Sequence, residues 1–252
     1  MRNSTQLTIA PFLTLTAGLS VPFWILHQLR PIALLPGLPL SALAALAPSV
    51  SAVYLQYTRN GKDAAILLLN RSSDLRRLHH PMWLLAHIGL NPLVTLAAYK
   101  TMQLRGTLLP PFSPVNAKTA ALLVVFFVFA LGEEIGWSGY AVEPCVSALG
   151  TFAGGALLGA ITSAWHVVPL LQAGRSPSWI AWWTLRSTMS RVVATWLYVR
   201  AGPSVVAAAL DHAMSNLCWQ MFPIHGSLWD PKDIAQVSLV AVALVGILDR
   251  LL

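Results

Sequence analysis

The chain has 252 residues, of which 56% are hydrophobic and only 10% are charged. Soluble domains carry about 25% charged residues, so this composition excludes an ordinary soluble protein and indicates an integral membrane protein. The net charge of +7 is typical of the positive-inside bias of membrane proteins, and we expect no nucleic-acid partner. The two cysteines provide neither a disulfide framework nor the spacing of a metal site.

Apolar stretches of about 20 residues, long enough to cross the hydrocarbon core of a bilayer as helices, follow one another along the chain. The predicted fold is therefore all-α, a polytopic transmembrane helical bundle of about eight spans that forms a single integral-membrane domain over residues 1–252. The predicted spans are 7–29, 32–57, 81–99, 118–142, 154–171, 179–200, 203–222 and 234–252. No small-residue cleavage site follows the first apolar run, so we expect that span to be retained.

Residues 61–80, between the second and third spans, are too polar to cross a membrane. Basic and apolar residues alternate there, a pattern typical of an amphipathic helix in the headgroup region. Together with Arg59 this is the largest basic cluster, so we expect it to face the cytoplasm, with both termini on that side. The expected location is the cell membrane in a prokaryote or the endoplasmic reticulum in a eukaryote.

Two adjacent carboxylates, Glu133 and Glu134, follow the uncharged apolar run 120–131. A charged side chain in the hydrocarbon core costs about 2.5–3.5 kcal/mol on insertion scales, and the chain has only nine acidic residues. The pair is therefore a candidate functional site. Neighbouring residues point to different sides of a helix, so we expect at most one glutamate to face a reaction centre and the other to orient a histidine or bind an arginine.

Three further polar residues of the later spans are candidate partners of these carboxylates: His166, His212 and Asn216. At about 1.5 Å per helical residue, Glu133, His166 and His212 lie roughly 14–18 Å from the inner ends of their predicted spans. His212 and Asn216 are four residues apart and so share one helix face. The spacing therefore predicts one polar site near the middle of the membrane.

Two kinds of hydrolytic site can use these residues. A carboxylate in a low-dielectric site can act as a general base on water, with a histidine beside it, and a His–Asn pair can donate hydrogen bonds to the oxyanion that forms. Alternatively His166, His212 and Glu133 could ligate zinc. The His-Glu-x-x-His motif of soluble zinc proteases is absent from the sequence, so we prefer the site without a metal or other cofactor.

Three motifs occur in order on three late spans: Glu133-Glu134-x-x-Trp137, Ala164-Trp165-His166-x-x-Pro169 and His212-Ala213-x-x-Asn216. This order resembles the CPBP family, the CAAX-prenyl-protease and bacteriocin-processing (Abi) intramembrane proteases, now usually treated as glutamate proteases and formerly called metalloproteases. The resemblance covers a motif-bearing core at about 118–222. It implies an intramembrane endopeptidase acting on a membrane-associated peptide or prenylated CAAX-type protein, in contact with membrane lipid.

By this resemblance Glu133 is the catalytic glutamate, His166 helps to activate water, and Glu134 has a supporting role. His212 and Asn216 correspond to the pair that stabilises the oxyanion. No prediction of the oligomeric state follows from the sequence.

The sequence departs from the family pattern at two positions. Ser138 stands where the family has arginine, four residues after the second glutamate, and Thr162 stands where the second motif usually has phenylalanine. The missing arginine removes a partner of a carboxylate. We therefore hypothesise that Arg186 or Arg191, on the sixth span, replaces it.

Other functions remain open at this point. Intramembrane carboxylates and histidines also form proton relays, so a proton-coupled transporter is an alternative. A catalytically inactive scaffold or immunity protein of the same fold is another. Gly132, Gly136 and Gly139 are expected to permit close helix packing, and we interpret Trp179 and its neighbouring tryptophans as an interfacial belt.

Overall fold

The computed structural model describes residues 9–35 and 38–251 of the chain. Residues 7, 8 and 252 of the predicted terminal spans lie outside the described residues. The helices are α1 (Ala10–Leu29), α2 (Ala47–Asn60), α3 (Lys62–Asn70), α4 (Met82–Leu104), α5 (Ala117–Gly136), α6 (Val142–Leu149), α7 (Thr151–Gln172), α8 (Pro177–Ala201), α9 (Val205–Met221) and α10 (Pro231–Leu251). The predicted all-α bundle is confirmed.

Six of the described helical segments are long and apolar enough to cross a membrane. They are Ala10–Leu29, Leu40–Asn60, Met82–Leu104, Ala117–Leu149, Thr151–Gln172 and Pro231–Leu251. The two other predicted spans correspond to α8, which has 25 residues but is more polar, and to α9, which has 17 residues. These two helices carry many of the polar residues that are predicted to lie in the membrane.

The predicted second span, 32–57, begins too early. Strands β1 (Ala33–Leu35) and β2 (Leu38–Pro39) form a minimal antiparallel hairpin, and a 3-10 helix, Leu40–Leu46, then leads directly into α2. Three prolines occur between residues 31 and 39. Because proline disfavours the α conformation of the preceding residue, this stretch forms no helix, and the helical segment starts directly after the last of the three, at Leu40.

The helix that carries the glutamates ends later than predicted. After α5 the chain forms a π-helical segment, Trp137–Ala141, and continues into α6 without a break, so the helical rod reaches Leu149 and not residue 142. Helix α7 likewise begins at Thr151 and not at residue 154. The predicted span ends at residues 142 and 154, from which the membrane depths of Glu133 and His166 were counted, are therefore wrong.

Glycines bring the glutamate-bearing helix close to the start of α2. A Cβ on Gly136 would lie 2.5 Å from the carbonyl carbon of Pro48, and one on Gly132 would lie 2.8 Å from Leu46 Cδ2. The Ser49 hydroxyl donates a hydrogen bond to the Gly132 carbonyl. The prediction of close packing at these glycines is confirmed, and this contact holds α5 next to the chain segment that precedes α2.

The basic segment between the second and third spans contains one short α-helix and a 3-10 helix, Leu75–Arg77. Helix α3 has nine residues and buries Ala65 and Leu68. It is too short to cross a membrane, in agreement with the prediction for this segment. Just beyond α3, Arg71 donates a hydrogen bond to the Gly139 carbonyl at 3.2 Å. This segment is thereby attached to the π-helical segment that follows the glutamates.

Candidate active site

A cavity of about 260 Å³ opens among α5, α7, α8 and α9, which pack against one another in the pairs α5–α9 and α7–α8. The five predicted site residues all line it: Glu133, Glu134, His166, His212 and Asn216. Residues from the 3-10 helix, including Ala42 and Ala45, form part of its wall. The structure therefore brings together in one cavity residues that are up to 83 positions apart in the sequence.

Glu134 is the better satisfied of the two carboxylates. It is 1% exposed and receives two hydrogen bonds from the Arg191 guanidinium, each of 2.8 Å. It also accepts from His212 Nδ1 at 2.9 Å and from the Ser138 hydroxyl. A buried carboxylate is tolerated when a cation and hydrogen bonds compensate it in this way. Glu134 is therefore an ion-paired residue that holds His212, α5 and α8 together.

This contact resolves the departure at Ser138. The hypothesis that an arginine of α8 lies beside the glutamate pair is confirmed for Arg191. Ser138 remains a partner of Glu134, but as a hydroxyl donor, while the positive charge comes from another helix. Arg186 takes no part in this ion pair, since it donates to Ser215 Oγ at 2.5 Å.

Glu133 has a different environment. Its Oε2 atom is buried and has no hydrogen-bond partner, and it lies 4.0 Å from His166 Nε2. His166 Nδ1 donates to the Thr162 carbonyl at 2.8 Å, because a carbonyl oxygen can only accept. Nε2 is thus the ring nitrogen that faces Glu133. One glutamate thus binds an arginine and a histidine, and the other faces the second histidine.

Helix α9 supplies a third wall of the cavity. His212 and Asn216 share a face of this helix, and since Glu134 engages His212 Nδ1, Nε2 is the ring nitrogen available to a ligand. Asp211 is buried and accepts a hydrogen bond of 3.0 Å from the Asn91 side chain. Among the described residues, no arginine or lysine lies within 4.0 Å of this carboxylate.

Comparison with known families bears on the same stretch of chain. Residues 115–218 match the family model described as Type II CAAX prenyl endopeptidase Rce1-like. The match covers less than half of the 252-residue chain. The matched stretch contains all five candidate site residues, and the resemblance drawn from the three motifs is confirmed. No curated protein matches the chain.

The matched stretch runs from just before α5 into α9. The match supports an endopeptidase that works within a membrane, in agreement with the six helical segments that are able to span one. The match also supports a membrane location and a protein substrate.

Several residues that line the cavity were not predicted from the sequence as site residues. Trp179 and Trp183, interpreted as an interfacial belt, line its wall, and the Trp183 ring lies 5.2 Å from that of His166. Arg175 also lines the cavity, and so does Arg186, which was predicted only as a possible partner of the glutamates. The π-helical segment after the glutamates was missed as well, although such segments are frequent at functional sites. In the sequence, these cavity residues were indicated only by a tryptophan cluster at the end of a span and by an arginine within a span.

The zinc alternative requires His166, His212 and Glu133 to approach one point. Across residues 9–35 and 38–251, no group of three His, Cys, Asp or Glu side chains is arranged to hold a metal ion. One nitrogen of His212 and one of His166 are engaged by protein acceptors, which leaves Nε2 of each ring free.

Proposed function

We propose that this chain is an intramembrane endopeptidase of the glutamate type, which hydrolyses a peptide bond in a membrane-associated, prenylated CAAX-type substrate. The observation that carries the proposal is the gap between Glu133 and His166. A separation of 4.0 Å between the carboxylate oxygen and Nε2 leaves room for one water that hydrogen-bonds to both atoms. Glu133 Oε2, which has no protein partner, is the acceptor for the proton of that water.

In the first step Glu133 removes a proton from the water, helped by His166, and the water oxygen attacks the carbonyl carbon of the substrate. The carbonyl oxygen becomes an oxyanion, which accepts hydrogen bonds from Asn216 and from Nε2 of His212. In the second step the C–N bond breaks, and the proton held by Glu133 goes to the leaving nitrogen. The products are a new carboxyl terminus and a shorter peptide with a free amine.

His212 can donate to the oxyanion only if it carries protons on both nitrogens, because Nδ1 already donates to Glu134. The group formed by Arg191, Glu134 and protonated His212 has a net charge of +1. An oxyanion beside it neutralises that charge. The attraction is therefore strongest when negative charge develops on the substrate, which is the condition for stabilising a transition state.

The shape and lining of the cavity support a lipid-modified substrate. Its walls include Phe126, Phe129, Trp165 and Trp183 next to the polar residues. A prenyl chain gains free energy from burial against such aromatic and aliphatic surface. A transporter is the weaker alternative, since the family match is to an endopeptidase and Glu134 is held in a closed ion pair.

The test is cleavage of a farnesylated CAAX-type peptide by the purified protein in liposomes, with the products identified by mass spectrometry. We expect Glu133→Gln to abolish cleavage, and in H₂¹⁸O we expect one heavy oxygen in the new carboxyl group. Glu143→Gln is the matched control, since Glu143 lies on α6 of the same helical rod but is exposed.

Two outcomes would contradict the proposal. Full activity of the Glu133→Gln variant would show that Glu133 is not the general base. If the wild-type protein cleaves no peptide, the inactive scaffold or the transporter is favoured. The metal-free mechanism is tested separately. If 1,10-phenanthroline abolishes cleavage and zinc restores it, the chemistry depends on a metal and not on Glu133 as general base alone.

A further inference from the structure

Arg186 is a cation in the wall of the cavity whose role the proposed mechanism leaves unexplained. One of its terminal nitrogens donates to Ser215 Oγ at 2.5 Å, and its guanidinium lies over the Trp229 ring, 5.6 Å from the centroid. Its Nε atom is buried and has no hydrogen-bond partner among the described residues. The direct contacts of this cation are thus a neutral hydroxyl and an aromatic ring, although the Asp211 carboxylate lines the same cavity at a greater distance.

The cavity contains a second buried arginine with the opposite arrangement. Arg191 has a carboxylate, Glu134, at 2.8 Å, whereas no carboxylate of the described residues lies within 4.0 Å of the Arg186 guanidinium. A cation removed from bulk water is unfavourable unless an anion accompanies it. Arg186 is therefore arranged to receive an anion that enters the cavity from outside.

The position of Arg186 indicates which part of a substrate brings that anion. Ser215, its partner, directly precedes Asn216 on α9 and lies three residues after His212. Residues three apart occupy neighbouring positions on one side of a helix. An anion held by Arg186 and Ser215 therefore lies beside the His212–Asn216 pair that is assigned to the oxyanion.

We propose that Arg186, together with Ser215, binds the C-terminal carboxylate of the substrate. This inference depends on the proposed protease function and makes it more specific, because it names the residues that hold the end of the substrate. Guanidinium is suited to this task because its planar set of donors matches the two oxygens of a carboxylate. The anchored carboxylate sets which peptide bond reaches Glu133 and His166.

Arg175 is the matched control for this role. It also lines the cavity, but it lies in the connection between α7 and α8, and its guanidinium stacks on the Trp179 ring at 4.6 Å from the centroid. Nothing places it next to His212 or Asn216. If positive charge in the cavity had only a general effect on binding, replacing either arginine would have the same effect. Carboxylate binding at the proposed position requires Arg186 and not Arg175.

The experiment compares two fluorescent farnesylated CAAX-type peptides, one ending in a free carboxylate and one ending in an amide. Their binding to Glu133→Gln protein in nanodiscs is measured, so that the result does not depend on cleavage. We expect the acid to bind about tenfold to a hundredfold more tightly than the amide, the range of a hydrogen-bonded charge pair. Adding Arg186→Gln should remove this preference, so that the acid and the amide bind alike, and Arg175→Gln should keep it.

Cleavage by protein with an intact Glu133 provides the second readout. The wild type should prefer the acid through a lower KM, and Arg186→Lys should retain part of the preference. Equal binding of acid and amide, or an equal loss of both in Arg186→Gln, would overturn the inference. Competition by phosphatidylglycerol that depends on Arg186, without an acid preference, would assign the site to a lipid phosphate and overturn it as well. Absence of cleavage alone would contradict only the proposed function.

Discussion

Arg191 on α8 and Glu134 on α5 form a two-pronged ion pair, with two hydrogen bonds of 2.8 Å, at the wall of the cavity. The carboxylate is 1% exposed, and its remaining partners are Ser138 and His212. The pair joins two helices that are distant in sequence and orients a histidine of a third. It therefore links the stability of the bundle to the geometry of the site.

Removing the arginine should have a large effect. Arg191→Gln leaves a buried carboxylate without its cation, a change that costs about 3–5 kcal/mol in other buried pairs, and it releases His212. We expect a lower melting temperature in detergent and loss of cleavage. Arg105→Gln is the control, because the Arg105–Asp233 pair includes an arginine side chain that is 54% exposed and exposed pairs contribute about 0–1 kcal/mol.

The arginine that the family carries at position 138 should compensate for this loss. Ser138 already reaches Glu134 from the same helix, so Ser138→Arg can place a guanidinium beside the same carboxylate. We expect the double variant Ser138→Arg/Arg191→Gln to recover part of both the stability and the cleavage rate. Ser138→Arg alone should destabilise the protein, because two cations would then compete for one buried carboxylate. No recovery in the double variant would mean that Arg191 does not replace the family residue.

The sequence was sufficient to predict the parts of this molecule that depend on local composition. Apolar length predicted the helices, and the cost of charge in hydrocarbon selected Glu133, Glu134, His166 and His212, which the structure brings to one cavity. The motifs led to the family that the comparison confirms. These features have local signals, because each depends on a single stretch of chain.

Contacts between distant stretches could not be read in the same way. The choice of Arg191 over Arg186 as the partner of Glu134 depends on how α8 is rotated against α5, which no local pattern determines. Trp179 and Trp183 carry the same signal whether they face lipid headgroups or a cavity. The extension of the helical rod to Leu149 was missed because the polar Glu143 resembles the end of a span.

Replacing Thr162, the residue that departs from the second motif, should have little effect if the new side chain has about the same size. The Thr162 carbonyl accepts from His166, while the hydroxyl only donates to the Gly159 carbonyl at 3.1 Å. Thr162→Val keeps the carbonyl, so we expect kcat/KM within about threefold of the wild type, equivalent to less than 1 kcal/mol. Thr162→Phe at this buried position should lower the melting temperature, because overpacking costs about 1–3 kcal/mol. A large activity loss in the valine variant would show that the hydroxyl itself matters.

The close approach of α5 to α2 can be tested at a glycine. A Cβ at Gly136 would lie 2.5 Å from the Pro48 carbonyl, so Gly136→Ala must push α5 away and displace the adjacent glutamates. We expect reduced stability and at least tenfold slower cleavage. Gly246→Ala on α10 is the control, since no atom lies within 4 Å of the added Cβ and alanine favours the helix by about 1 kcal/mol. Equal behaviour of the two variants would contradict a role for close packing.

The hydrogen bond from Arg71 to the Gly139 carbonyl should support the site from the basic segment. A π-helical stretch leaves carbonyls without their usual helical partners, and Arg71 satisfies one of them just five residues after Glu134. Arg71→Gln removes that donor, so the segment after the glutamates becomes free to return to an α-helical register. We expect a severalfold lower kcat with little change in KM, measured on the farnesylated peptide. Arg76→Gln is the matched control, because Arg76 lies in the same segment and is exposed. If both variants lose activity equally, the effect comes from the charge of the segment, and the contact with Gly139 has no separate role.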